Sequence, residues 1–287
     1  MLRNILIQLV NNKFTNINTY LKWLYCNVYF FKKPANFYLR KLVRFPGINP
    51  EYGYCIFKAA ILAKQLGIKK ISILEFGVAG GNGIISIEDH CENIKKLLGI
   101  EFEVYGFDLE SGLPAPIDYR DTPYLFTEGS FEMNKDILMK RLKISKLILG
   151  DVGETLNRFF EDNNPSPIGA ILFDLDFYSS TKKAFKVFSN KEDKYYLPRI
   201  HCHFDDVATI ESIGERLAIK EFNEEHDSKK IENSFRTIKD GIKNRYKIFE
   251  YHNFKHKDYS TNIDKLRQEY LKVNKTDNKN IDDVQIY

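Results

Sequence analysis

The run Ile71-Ser-Ile-Leu-Glu75-Phe-Gly77-Val-Ala79-Gly80-Gly81-Asn-Gly83 limits the fold of this chain more than any other stretch. It reads as a short apolar strand, a carboxylate at the strand's end, a glycine-rich turn and a helix. The helix carries Ile84, Ile87, Cys91, Ile94 and Leu98 on one face, spaced as a core-facing helix requires. A strand that feeds a glycine turn and a helix N-terminus forms a nucleotide-type binding corner. The backbone can approach a ligand closely there, and the helix offers unpaired N–H groups. Glu75 separates this corner from a phosphate site. A carboxylate beside the turn repels a pyrophosphate and suits a ligand with an ammonium and a sulfonium. The dinucleotide pattern G-x-G-x-x-G is not met, because Ala79 stands at its second glycine.

The same run resembles motif I of class I methyltransferases, Glu/Asp-x-Gly-x-Gly-x-Gly, with Ala79 in the middle glycine position. The resemblance implies that Glu75, Gly77, Ala79, Gly80 and Gly81 hold S-adenosylmethionine. Beyond it, strands predicted near 70–75, 102–107, 146–150, 168–174, 200–205 and 245–251 alternate with helices near 83–98, 132–142, 154–162, 180–189 and 209–225. Another helix is predicted over about 54–65, and Ser179 or Ser180 reads as the N-cap of the helix near 180–189. This alternation predicts an α/β fold, a doubly wound and mostly parallel sheet with helices on both faces. The resemblance makes it a Rossmann-like methyltransferase fold. The domain reading is an N-terminal helical extension (1–57), the Rossmann-like domain (58–254) and a polar C-terminal tail (255–287). Between Asp108 and Phe131 lies a Pro- and Gly-rich insertion, long enough to be a lid or binding loop over the crevice at the strands' carboxyl ends.

Four groups of acids lie where chemistry is expected. Asp108 ends the second strand, where it suits two ribose hydroxyls; a turn cap is the other reading, and Glu110 a weaker candidate for the same role. Asp151 and Val152 follow the third strand, and the resemblance implies that they face the adenine ring. Asp151 serves equally well as an N-cap for the next helix. The fourth strand ends in Asp174-Leu-Asp176-Phe-Tyr178-Ser-Ser-Thr181, and the fifth in His203-Phe-Asp205-Asp206. In a doubly wound sheet those ends are close together. Carboxylates that converge there repel one another unless a cation or a shared proton sits between them, which makes a hard-cation site for Mg²⁺ or a similar ion.

The two acid runs resemble those of metal-dependent sugar O-methyltransferases of the macrocin and novobiocin type, which carry Asp-x-Asp-x-Tyr-x-Ser-Thr and a later Asp-Asp pair. The resemblance implies that Asp174, Asp205 and Asp206 bind the metal and that Asp174 or Asp176 is the base. It also implies a small hydroxyl acceptor, of sugar type. The Asp108–Arg120 segment and the Leu197–His203 run depart from those enzymes, so their substrates do not transfer. Two rival readings are a nicotinamide-dependent oxidoreductase, which Glu75 disfavours, and a non-catalytic binding subunit, which the intact acid cluster disfavours.

Composition narrows the remaining classes. The 287-residue chain is 43% hydrophobic and 14% aromatic, enough for a sizeable core, and its net charge of +4 does not demand nucleic acid. The Asn/Asp-Pro-Pro-Tyr motif of base amino-methylation is missing after the fourth strand. Four cysteines without C-x-x-C spacing read as reduced structural thiols, so the expected location is cytoplasmic. No stretch reaches the apolar length of a membrane span. The aromatic segment Trp23–Phe31 is expected to pack on the chain or to mediate homo-oligomer contact.

Overall fold

In the computed structural model, described residues are 49–234 and 240–261, with Tyr38, Leu39, Leu42 and Thr237. Of the N-terminal extension (1–57), Tyr38, Leu39, Leu42 and 49–57 are described; the rest of it, Trp23–Phe31, Cys26 and the tail beyond residue 261 lie outside the described residues.

A seven-stranded sheet with order β3-β2-β1-β4-β5-β7-β6 organises them. Its strands are β1 (Lys70–Phe76), β2 (Glu101–Asp108), β3 (Ser145–Leu149), β4 (Ile168–Phe173), β5 (Tyr196–Phe204), β6 (Lys229–Asn233) and β7 (Ile248–Asn253). The first five run parallel, and β7 lies antiparallel to both β5 and β6. The fold is therefore the doubly wound, Rossmann-like α/β arrangement that the alternation predicts. Alternate residues of β1 supply its two cores. Ile71 and Ile73 join α1 (Pro50–Gln65) and α2 (Asn82–Leu98) on one face. Leu74 and Phe76 join α4 (Val152–Asn163), α5 (Tyr178–Ala184) and α6 (Gly214–Glu225) on the other. The short helix α3 (Lys135–Met139) contributes Leu138 to the first core.

Several elements differ from the sequence expectation. β6 is a strand that periodicity misses, because Lys-Lys-Ile-Glu-Asn is polar and buries only Ile231; charged edge strands of this kind resist edge-to-edge pairing. β5 begins at Tyr196, through Pro198, a residue that argues against strand. α5 starts at Tyr178 after Phe177, so neither Ser179 nor Ser180 is its N-cap. Cys55, Cys91 and Cys202 are free and buried. No described helix is long and apolar enough to cross a membrane.

Strand order reverses between β1 and β4, and a crevice opens at the carboxyl ends of strands at such a switch point. Glu75, the glycine turn and Asp174 all fall there.

Candidate active site

A single cleft of about 540 Å³ is lined by Glu75, residues 77–83, Asp108, Asp151, Val152, Asp174, Asp176, Asp205 and Asp206, along with the 109–131 loop. Within it, Glu75 sits in series with Ile71 and Ile73 on the core face of β1 and is 1% exposed. Burial, then the fields of Asp174 and Asp108, hold its carboxyl well above the usual range. Its Oε2 has no hydrogen-bond partner. Glycine at 83 makes the room: a Cβ there would stand 1.9 Å from Glu75 Oε1. Gly77, at φ +87°, lets the turn pass over the end of β4, where a Cβ would meet the Asp174 carbonyl oxygen at 1.8 Å.

Ala79 adopts φ +44°, a strained value for alanine. Asp108 holds it there. Its Oδ2 accepts from the N–H groups of Val78 and Ala79, both at 2.8 Å, and its Oδ1 accepts from Glu110 N–H at 2.7 Å. The turn-cap role is thus observed, and Asp108 also lines the cleft. Glu110 faces a neighbouring hollow with residues 132–136 instead. Asp151 likewise caps α4, accepting from Gly153 N–H at 2.8 Å, and pairs with Lys183 at 2.7 Å. α2 starts without a side-chain cap, so its first N–H groups at the cleft suit an anionic group.

At the ends of β4 and β5, parallel register pairs Phe173 with Phe204, whose rings stack at 4.5 Å, and so sets Asp174 beside Asp205. The Asp205 N–H donates to Phe173 O, and the Asp206 N–H donates to Oε2 of the buried Glu215 at 2.8 Å. One oxygen from each of Asp174, Asp205 and Asp206 lies within 4.8 Å of the others. Burial first, then neighbouring carboxylates, push Asp174 to about 8, Asp176 to about 7 and Asp206 to about 6. Asp176 is not extended beside Asp174. It has φ +59°, in a tight turn closed by Phe177 N–H donating to Leu175 O, and it hydrogen-bonds Asp206. Buried His203 is held neutral by burial, down to about 3.

The 109–131 insertion is a built wall. Leu113 and residues 129–130 exchange backbone hydrogen bonds, and Leu113, Phe126 and Phe131 line the cleft. Fully buried Asp121 ties the loop to α5, accepting from Ser179 N–H and Oγ and from Ile117 N–H at 2.8–2.9 Å. Asp121→Ala is expected to cost about 2–4 kcal/mol of stability, since charge-assisted bonds are lost and their donors stranded. Chemical denaturation measures this, and an unchanged midpoint would remove Asp121 as the anchor.

No protein-family model matches the chain, and no curated protein does. Among solved structures it is similar to CalS11, the calicheamicin methyltransferase, at 20% identity over 65% of this chain and 82% of that one, TM-score 0.45. The O-methyltransferase NovP follows at 13%, 71%, 78% and 0.49. TomG from Streptomyces achromogenes, an O-methyltransferase involved in tomaymycin synthesis, gives 13%, 68%, 80% and 0.38. Likeness at this level assigns no residue a role, and the chemistry has to be read from the cleft itself.

Three side chains at the acid cluster carry no sequence motif. Tyr52 comes from α1, with its ring 4.9 Å from His203 and its phenol raised by burial and then by Glu75, Asp174, Asp205 and Glu215. Glu215 opens α6, is fully buried, and leaves Oε1 without a partner. Lys247, just before β7, reaches Asp205 Oδ1 at 2.7 Å.

The crowded acids fix how stability depends on pH. An acid whose pKa folding raises keeps its proton when the unfolded chain has already lost its own. Its contribution is complete below about pH 4 and disappears as pH rises through the folded values of about 6, 7 and 8. One extra bound proton sustained from pH 6 to 8 amounts to about 2.7 kcal/mol. The melting temperature of ligand-free protein should therefore drop by about 5–10 °C over that interval. A flat profile would contradict the electrostatics described.

Proposed function

We propose that this chain transfers a methyl group from S-adenosylmethionine to a hydroxyl of a small acceptor of sugar type, assisted by a divalent cation such as Mg²⁺. The observation that carries this reading is one cleft with two carboxylate systems. Glu75, buried and with an oxygen unpartnered, lines it near the end of β1. The Asp174, Asp205 and Asp206 oxygens converge at the ends of β4 and β5. A buried carboxylate without a partner suits an ammonium or sulfonium, and three converging carboxylate oxygens suit a hard dication.

When bound, S-adenosylmethionine supplies an electrophilic methyl carbon and the divalent ion makes an acceptor hydroxyl more acidic. The glycine turn and the uncapped start of α2 would receive the donor's carboxylate, with Glu75 taking its ammonium. Asp174, Asp205 and Asp206 would hold the ion. Asp176 lines the same cleft and stands outside the converging trio, so, once its hydrogen bond to Asp206 gives way to the ion, it would accept the hydroxyl proton. Phe126 and Phe131 offer apolar faces to the C–H side of an acceptor ring.

Titration calorimetry with S-adenosylhomocysteine tests the donor half, and methyl transfer to a panel of sugar hydroxyls with and without EDTA tests the rest. Saturable binding and EDTA-sensitive transfer are expected. No heat with millimolar S-adenosylhomocysteine would end the reading, and transfer indifferent to EDTA would end its metal component.

A further inference from the structure

Lys247 occupies a position that the proposed metal site does not need. It closes the 3-10 turn Arg245–Lys247 before β7, and antiparallel pairing of Ile248 with His203 brings the start of β7 to the end of β5. Its Nζ stands 2.7 Å from Asp205 Oδ1, with the Lys247 side chain 18% exposed. His203 Nε2 lies 4.0 Å from the same oxygen, but that imidazole is neutral. Among the described residues, the ammonium of Lys247 is the cation whose field reaches both Asp174 and Asp206. A fixed positive charge on one member of a carboxylate trio works against a second positive charge on the same trio. Lysine also suits a removable charge. Its head is a compact point charge on a flexible stem, whereas an arginine fork would grip the carboxylate through two bonds.

We propose that Lys247 is a built-in competitor of the divalent ion: it neutralises Asp205 in the ion-free protein, gives up that oxygen when the ion binds, and so keeps metal affinity low. This deepens the function proposed above and rests on its metal component. A residue that merely orients a ligand carboxylate behaves oppositely, since removing such a partner weakens metal binding about 10- to 100-fold. The sign of the change therefore decides.

The test is Mn²⁺ binding to the purified full-length chain, read from the free-ion electron paramagnetic resonance signal and independent of any activity. Lys247→Met keeps the length of the stem and removes the charge; it should bind Mn²⁺ at least about tenfold more tightly than the wild type. Lys247→Arg keeps the charge and should bind no more tightly than the wild type. Wild type that binds, with a Lys247→Met that binds equally or more weakly, overturns the competitor role alone. Tightening in both variants also overturns it, because charge would not be the cause. If neither the wild type nor Lys247→Met takes Mn²⁺ at millimolar concentration, the metal component of the proposed function fails as well. Circular dichroism of both variants checks that the fold is intact.

Discussion

Glu75→Gln should lower affinity for S-adenosylhomocysteine by about 100- to 1,000-fold, the range for removing one charge from a buried pair. It should also make the ligand-free protein more stable. The two effects share a cause. Glu75 holds a position that β1 otherwise fills with isoleucine, on a face packed against α1 and α2. In the ligand-free protein its carboxylate is stripped of water, has Asp174 and Asp108 as like-charged neighbours, and leaves Oε2 unpaired. An amide of the same shape avoids the charge and its desolvation, so a gain of about 1 kcal/mol is expected. Binding reverses the balance, because the ligand's ammonium favours the ionised, dehydrated carboxylate, a counter-charge that glutamine cannot supply. Calorimetry and thermal melting of both proteins give the two numbers. A variant that melts lower and binds as well as the wild type would show that Glu75 holds the fold together and does not recognise a ligand.

How much of this was legible beforehand depends on the range of the interactions. β1, its turn and α2 are local: aliphatic residues alternate, then recur at helical spacing, and all five marker residues of α2 are buried. The acid trio is legible because parallel register carries two strand ends to the same level. What sequence reasoning missed depends on distant chain. Ser179 reads as a helix cap but donates to Asp121, which arrives from a loop 58 residues earlier. Asp108 carries the turn-cap reading, but nothing local shows that Ala79 is the residue whose backbone it pins at a left-handed angle. Lys247 reaches the cluster only because β7 inserts between β5 and β6, and no spacing rule in 200–206 points to residue 247. One signal was available in part: three or more acids at one place require some positive partner.

Asp176→Asn and Asp174→Asn, otherwise similar changes two residues apart, should fail in different ways. Asp176→Asn is expected to lower turnover by about 10²- to 10⁴-fold, the usual contribution of a positioned base, with Mn²⁺ and S-adenosylhomocysteine affinities nearly unchanged. Asp174→Asn should instead lose Mn²⁺ binding, because it removes one of the three converging oxygens. The backbone makes the first comparison clean. Asp176 sits at φ +59°, where most side chains are strained but asparagine is tolerated as well as aspartate. The turn closed by Phe177 N–H and Leu175 O should therefore survive the substitution. The change also removes one charge facing Asp206, so the ion-free variant should melt no lower than the wild type at pH 8. A melting point well below the wild type would mean that the carboxylate pair braces the turn, and lost turnover would then say nothing about proton transfer. Full turnover in Asp176→Asn, with Asp174→Asn inactive yet still binding Mn²⁺, would move the base to Asp174 and leave the metal to other ligands.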